Sequence, residues 1–189
     1  MCGIAGLVVK NSAHAAQGES TLAQMSVRLI HRGPDGEGLR WFANAAFGLA
    51  HRRLSIIDLS AAAAQPMQLH ERYFLSFNGE IYNYPELKEI LVNRGYHLDT
   101  GSDSIVLLRW LMAFGKEGIQ QLKGMFAFVF ADLGKKEILV SRDISGEKPL
   151  YFHQHGNFWI FSSETKGILA GMKNKPKIDK TQFLPFFYY

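Results

Sequence analysis

The chain has 189 residues, 47% of them apolar, which is enough for one sizeable core and more naturally one domain over 1–189 than two. Its 21 Lys and Arg against 17 Asp and Glu give a net charge of +4, but the signs are interleaved along most of the chain, so no nucleic-acid footprint is indicated. A single cysteine allows no internal disulfide and fits a reducing compartment, with cytoplasm the natural expectation; the longest strictly apolar run, 125–131, is far short of the roughly 18 residues that span a bilayer, so no membrane segment is expected.

In chain order, 4–9 reads as a buried strand beginning almost at the terminus, which anchors whatever stands at position 2 to the edge of a sheet. Ser20 or Thr21 can cap a helix carrying Leu22, Met25 and Leu29 or Ile30, ending before the turn Gly33-Pro34-Asp35-Gly36. Strands follow at 47–55 and 73–77. Asn83, Pro85 just inside and Gly95 just beyond bracket a helix over 86–94, and Ser102 can cap another running through Trp110 to about Phe114. The second half turns to strands at 125–133, 137–142, 150–154 and 158–162, the last two a hairpin around His155-Gly156-Asn157.

In the strand at 125–133, Phe126, Phe128 and Phe130 fall on one face and Ala127, Val129 and Ala131 on the other, so both faces must be buried. That predicts an α+β fold of sheets packed on each other with helices outside, a four-layer arrangement. Residues 183–189 are uncharged and include five aromatics, an unlikely surface to leave in water. The expectation is that the chain is the front part of a larger protein. The basic residues Lys166, Lys173, Lys175, Lys177 and Lys180 read as a solvated face.

The strongest local signal is Met1-Cys2-Gly3. A small residue after the initiator lets methionine be removed, leaving a thiol and a free α-amine on one residue. An α-amine has a reference pKa of about 7.7–8.0 and a thiol about 8.5, so proton transfer between such groups costs little near neutral pH. This is the chemistry of an N-terminal nucleophile. Position 2 alone would fit a small buried hydrophobe equally well. Asn78-Gly79-Glu80 follows a strand, where a side-chain amide and an unobstructed backbone N–H can point at one spot as oxyanion donors, each worth on the order of 3 kcal/mol in a transition state. An isolated Asn-Gly is more often a hairpin turn, but a turn does not account for Glu80 and the Ile81-Tyr82-Asn83-Tyr84 that follow.

Met1-Cys2-Gly3-Ile4-Ala5-Gly6, His31-Arg32-Gly33-Pro34-Asp35, Ala50-His51-Arg52-Arg53-Leu54-Ser55-Ile56, Asn78-Gly79-Glu80-Ile81-Tyr82-Asn83, Gly101-Ser102-Asp103, Gly124-Met125-Phe126-Ala127-Phe128, Arg142-Asp143 with Gly146-Glu147-Lys148-Pro149-Leu150-Tyr151, and Ser163-Glu164 stand in this order along essentially the whole chain. Together they resemble the class II glutaminase domain of glutamine-hydrolysing asparagine synthetases. The resemblance implies an Ntn-hydrolase αββα sandwich. It also implies that Cys2 attacks the side-chain amide of L-glutamine and that Asn78 with the Gly79 N–H holds the oxyanion. Arg53 would take the α-carboxylate, Glu80 and Asp103 the α-ammonium, and the backbone of Leu54, Ser55, Ile56 and Ile57 would line the pocket. Two acids and one Arg are what a zwitterionic amino acid requires. Individually, Arg53 and Asp103 would also fit a surface ion pair or, for Asp103, a helix cap.

The resemblance further implies a C-terminal synthetase domain that uses ATP and Mg²⁺ to amidate a carboxylate, in asparagine synthesis that of aspartate. Its Ser-Gly-Gly-x-Asp-Ser loop is absent from these residues, as is a Walker-type loop, so no cofactor is expected in this domain. The rival readings are the same glutaminase serving amidation of a sugar acid in surface-polysaccharide synthesis, and an idle binding or regulatory module. A second copy of the chain is a further candidate partner. Metal binding by His153 and His155 has little support, because no acidic or thiol partner stands nearby. One departure from the family pattern is Ile144-Ser145, between Asp143 and Gly146, where Arg or His followed by Leu is usual.

Overall fold

A computed structural model of the chain describes residues 1–10, 15–54, 64–98, 100–172, 174–177 and 181. Nine strands and four α-helices lie among them: β1 (Gly3–Val9), α1 (Ala15–Val27), β2 (Gly36–Phe42), β3 (Phe47–Arg53), β4 (Met67–Leu69), β5 (Tyr73–Ile81), α2 (Tyr84–Asn93), α3 (Asp103–Phe114), β6 (Gly124–Asp132), β7 (Glu137–Arg142), β8 (Tyr151–His155), β9 (Phe158–Ser162) and α4 (Thr165–Gly171). The strands form two antiparallel sheets, β2-β3-β1-β9-β8 and β4-β5-β6-β7.

Strand alternation assigns each side chain to a layer. On β1, Ala5, Leu7 and Val9 pack with Leu22, Met25 and Ile168 of α1 and α4, while Ile4 turns the other way and joins Phe47, Leu49, Phe74, Val129 and Ala131 between the sheets. On β6, Phe126, Phe128 and Phe130 face Leu87, Leu91, Val106, Leu107 and Trp110 of α2 and α3. Both faces of β6 are therefore buried, as its sequence requires. The layers run α1 with α4, first sheet, second sheet, α2 with α3: the four-layer αββα sandwich expected from the motifs. Each fully buried Leu, Ile or Phe contributes about 1.5–3 kcal/mol, so three stacked clusters supply the driving force for this arrangement.

Several elements differ from expectation. Helix α1 begins at Ala15, so Ser20 and Thr21 lie inside it; their hydroxyls donate back to the Gln17 carbonyl at 3.0 and 2.8 Å instead of capping. The segment read as a turn at Gly36 opens β2, an edge strand paired with β3 from Gly36↔Arg53 to Phe42↔Phe47. Strand β5 does not stop at Phe77 but carries Asn78, Gly79 and Glu80 within it, paired with Ala127, Phe126 and Met125. Asn83 stands at the cap position of α2, yet its amide ties down the following segment, donating to the Gln121 carbonyl and accepting from Lys123 N–H, both at 2.9 Å. Ser102 likewise precedes α3 without a side-chain cap bond. Ser55, Ile56, Ile57, Lys173, Lys180 and residues 183–189 lie outside the described residues. Among the described residues no helix is long and apolar enough to cross a membrane.

Candidate active site

Of the predicted residues, Cys2, Leu54 and Asn78 come into direct contact at one end of the space between the sheets. Cys2 immediately precedes β1 and shares the parity of Ile4, which faces the second sheet. On β3 the odd positions Phe47 and Leu49 face inward, which puts His51 and Arg53 on the same face. On β5, Phe74 is interlayer and Leu75, Phe77 and Ile81 face the helices, so Asn78 points into the interlayer space from the opposite sheet.

Cys2 and Asn78 touch directly: the Cys2 N–H donates to Asn78 Oδ1 at 3.1 Å. That nitrogen is a peptide nitrogen while Met1 is attached and becomes an α-amine on its removal. The half-buried thiol lies 3.9 Å from the Leu54 carbonyl oxygen, to which it donates. Because Asn78 Oδ1 is engaged, Nδ2 is the free end of the amide; it is buried and has no hydrogen-bond partner among the described residues. Leaving such a donor unsatisfied costs about 1–3 kcal/mol, a cost a bound oxyanion would remove.

The neighbouring donor follows from the ladder. Tyr82 N–H bonds the Lys123 carbonyl at 2.7 Å, so the even residues of β5 are in hydrogen-bonded register with β6 and the odd N–H groups point to the other edge. There β4 pairs only as far as Met67↔Leu75, so Phe77, Gly79 and Ile81 lie beyond its end. Ile81 N–H is taken by Asp103 Oδ2 at 3.1 Å, and the Gly79 N–H lies between those of Phe77 and Ile81 on the same edge. Gly79 itself has φ +145°, and a Cβ there would lie 2.0 Å from the Met125 carbonyl oxygen, so only glycine fits.

Asp103 is the first residue of α3 and half-buried, its other oxygen accepting from Ser104 Oγ at 3.2 Å. Glu80 is exposed at the rim, on the same strand face as Asn78. Arg53 closes β3, half-buried, with its carbonyl accepting from Asp35 N–H at 3.0 Å. Leu54 contributes its carbonyl, and Ser55, Ile56 and Ile57 fall outside the described residues. Cys2 thus contacts Asn78 and Leu54 directly, while Arg53 adjoins Leu54, Glu80 stands two residues beyond Asn78 on β5, and Asp103 bonds the N–H of Ile81 on that strand.

Two contributors had no role assigned from sequence, although both stand in the quoted motifs. Arg32 Nε donates to the Cys2 carbonyl at 3.0 Å, and its Nη1 pairs with Glu164 Oε1 at 3.0 Å. Glu164 also receives His31 Nε2 at 2.9 Å and Lys166 Nζ at 2.9 Å. Burial alone would raise the Glu164 carboxyl, but the bonds from His31, Lys166 and Arg32 outweigh it and bring it down from 4.5 to about 2. Ser163 clips β1 from the same loop, its hydroxyl accepting Ile4 N–H and its N–H reaching the Ile4 carbonyl, each at 2.9 Å. The Arg32–Glu164, His31–Glu164 and Ser163–Ile4 contacts join residues more than 130 positions apart, which no local pattern encodes.

The family profile described as a glutamine amidotransferase domain matches residues 1–189. The chain is 39% identical over 182 residues, 95% of its length, to a Bacillus subtilis protein named asparagine synthetase [glutamine-hydrolyzing] 1, covering 28% of that relative. It is 37% identical over 171 residues, 89% of its length, to Escherichia coli asparagine synthetase B [glutamine-hydrolyzing], covering 30% of it. The chain therefore spans less than a third of these relatives. Among solved structures, glutamine phosphoribosylpyrophosphate amidotransferase from B. subtilis superposes with a TM-score of 0.67 at 21% identity, over 90% of this chain and 43% of that one, a likeness of fold.

Proposed function

Because the chain belongs to the glutamine amidotransferase domain family, we propose that it hydrolyses L-glutamine through a thioester on Cys2 and supplies the ammonia to a synthetase region that makes asparagine from aspartate. The fold is that of the Ntn hydrolases and the enzyme class is class II glutamine amidotransferase. The observation that carries the mechanism is the Cys2–Asn78 contact with Nδ2 of Asn78 left over beside the outward Gly79 N–H.

After Met1 is removed, the α-amine of Cys2 takes the thiol proton, directly or through water, and the sulfur attacks the side-chain amide carbon of glutamine. The carbonyl oxygen becomes an oxyanion between Asn78 Nδ2 and Gly79 N–H. Collapse expels the amide nitrogen, which takes its proton from the ammonium of Cys2 and leaves as ammonia. Water then attacks the γ-glutamyl thioester, releasing glutamate and restoring the thiol. Arg53 holds the α-carboxylate, Glu80 and Asp103 the α-ammonium, and the backbone of Leu54 to Ile57 the aliphatic stem. No step calls for a cofactor; ATP and Mg²⁺ belong to the acceptor-activating reaction.

The test is direct. The protein, with loss of Met1 established by intact mass, is incubated with glutamine and glutamate is measured. Turnover that disappears in Cys2→Ala supports the reading. Turnover that survives in Cys2→Ala refutes the mechanism.

A further inference from the structure

Among the described residues, β4 covers the outward edge of β5 only as far as Leu75, short of the Asn78-Gly79 pair. Beyond Leu75, the last β5 residue paired with β4, the next outward-facing residue is Phe77. Both of its polar groups are taken by side chains. Its N–H donates to Gln65 Oε1 at 2.6 Å, and its carbonyl accepts from His51 Nε2 at 3.1 Å. Since a carbonyl only accepts, His51 is the Nε2–H tautomer. The carbonyl that His51 grips belongs to the peptide that bears the Asn78 nitrogen.

Both gripping residues lie close to the first sheet. Gly38 on β2 is in register with His51 on β3, and it lies so close under Gln65 that a Cβ there would sit 1.8 Å from the Gln65 carbonyl oxygen. His51 is 1% exposed and Gln65 half-buried. Phe77 is thus held at its outward edge by His51, which belongs to the sheet that also carries Cys2 and Arg53, and by Gln65, whose backbone lies against that sheet.

We propose that Gln65 and His51 are positioning residues of the oxyanion site: by taking the outward N–H and C=O of Phe77 where β4 no longer pairs, they fix this stretch of β5 and so aim Asn78 and the Gly79 N–H at Cys2. The proposal rests on the glutaminase reading above. Both residues act through Phe77, so their loss shifts the donors that bind the transition state without removing the nucleophile or the glutamine clamp.

The test compares wild type with Gln65→Met, Gln65→Glu, His51→Leu and His51→Gln, each checked for a cooperative thermal melt. The readouts are kcat and KM for glutamine hydrolysis and the rate of Cys2 alkylation by iodoacetamide. Met and Leu remove the hydrogen-bonding group at similar size, whereas Glu keeps an acceptor and Gln keeps an N–H donor. Gln65→Met and His51→Leu are expected to lose about 10- to 100-fold in kcat, the scale of a displacement of about 1 Å, with KM and alkylation within about twofold. Gln65→Glu and His51→Gln are expected to recover most of it. If His51→Leu fails to fold, the Gln65 pair decides. A Gln65→Met enzyme with wild-type kcat, a Gln65→Glu enzyme as slow as Gln65→Met, or an equal fall in alkylation overturns the proposal while an active wild type keeps the glutaminase reading. A wild type with a free Cys2 amine that releases no glutamate overturns both.

Discussion

Asn78 accepts the Cys2 N–H on Oδ1 at 3.1 Å, so the residue that anchors the nucleophile from the opposite sheet presents its remaining amide donor to the same space. The two tasks can be separated. Asn78→Ala is expected to lower kcat about 10²–10³-fold with little change in KM, the usual effect of losing one oxyanion donor. Asn78→Asp keeps an acceptor for the Cys2 nitrogen but has no N–H, so it should not recover activity. Recovery in steady-state glutaminase assays would mean that anchoring Cys2, and not binding the oxyanion, is what Asn78 contributes.

Arg53 ends β3 on the interlayer face, one residue before the Leu54 carbonyl that lies 3.9 Å from the thiol. A guanidinium there would bind the substrate carboxylate equally in ground and transition states. Arg53→Ala is therefore expected to raise KM for glutamine about 10- to 100-fold, the scale of a lost charged hydrogen bond, with a smaller effect on kcat. Arg53→Lys should recover only part, since it loses the two-pronged geometry. An unchanged KM in both variants would locate the carboxylate site elsewhere.

Two glycines of positive φ should respond differently to alanine. At Gly79, φ +145° coincides with a would-be Cβ 2.0 Å from the Met125 carbonyl oxygen, whereas at Gly95, φ +87°, nothing lies within 4 Å. Gly95→Ala then carries only backbone strain, about 1–3 kcal/mol. Gly79→Ala adds a clash with strand β6 and is expected to cost more, enough to separate β5 from β6 locally. Urea unfolding of both variants checks the order; equal costs would show that β6 yields to the methyl group.

What the sequence discloses about this fold is what local pattern can carry. The double-faced apolar run at 125–131, the short apolar strand after Cys2 and the bracketing residues of α2 and α3 lead directly to the layers. Strand β2 is hidden because its first residue, Gly36, reads as the end of a turn, and Gly38 within it is small because the Gln65 backbone crosses it, a contact 27 positions away. Three-residue β4 is too short to show alternation. Cys2, Arg53, Asn78, Gly79, Glu80 and Asp103 are recognisable through their motifs. Arg32, Glu164, Gln65 and His51 lacked a role because theirs exist only once the two sheets are stacked and the 162–164 turn lies against β1.

The Arg32–Glu164 pair should matter for rate and, separately, for acid stability. Arg32 holds the Cys2 carbonyl at 3.0 Å, so Arg32→Ala is expected to reduce kcat, with Glu164→Gln intermediate because it keeps an acceptor while losing the charge. Since the Glu164 carboxyl is lowered to about 2, the folded protein keeps it ionised where the unfolded chain would protonate it. Its contribution to stability is complete above about pH 4.5 and lost as pH falls towards 2. The stability difference between wild type and Glu164→Gln should therefore shrink as pH falls from about 4.5 towards 2. A difference that grows over that same range, 4.5 to about 2, would reverse the sign and discredit the ion-pair account.

His51 gives the opposite protonation chemistry but the same direction with pH. Burial is the main reason its pKa falls from 6.5 to about 4; the bond to the Phe77 carbonyl opposes this and the nearby Arg53 charge adds to it. The folded state keeps the ring neutral where the unfolded chain takes up a proton. Its contribution is therefore intact above pH 6.5 and lost as pH falls from 6.5 towards 4. Relative to His51→Gln, which does not titrate, wild type should lose on the order of 2–3 kcal/mol of stability between pH 7 and about pH 4.5. The loss should level off below pH 4, where the folded ring also takes its proton. Urea titrations of both proteins at fixed ionic strength measure this difference, in which groups common to the two largely cancel. A difference that stays flat would mean that the folded ring titrates like an exposed histidine, and the neutral Nε2–H grip on Phe77 would then fail with it.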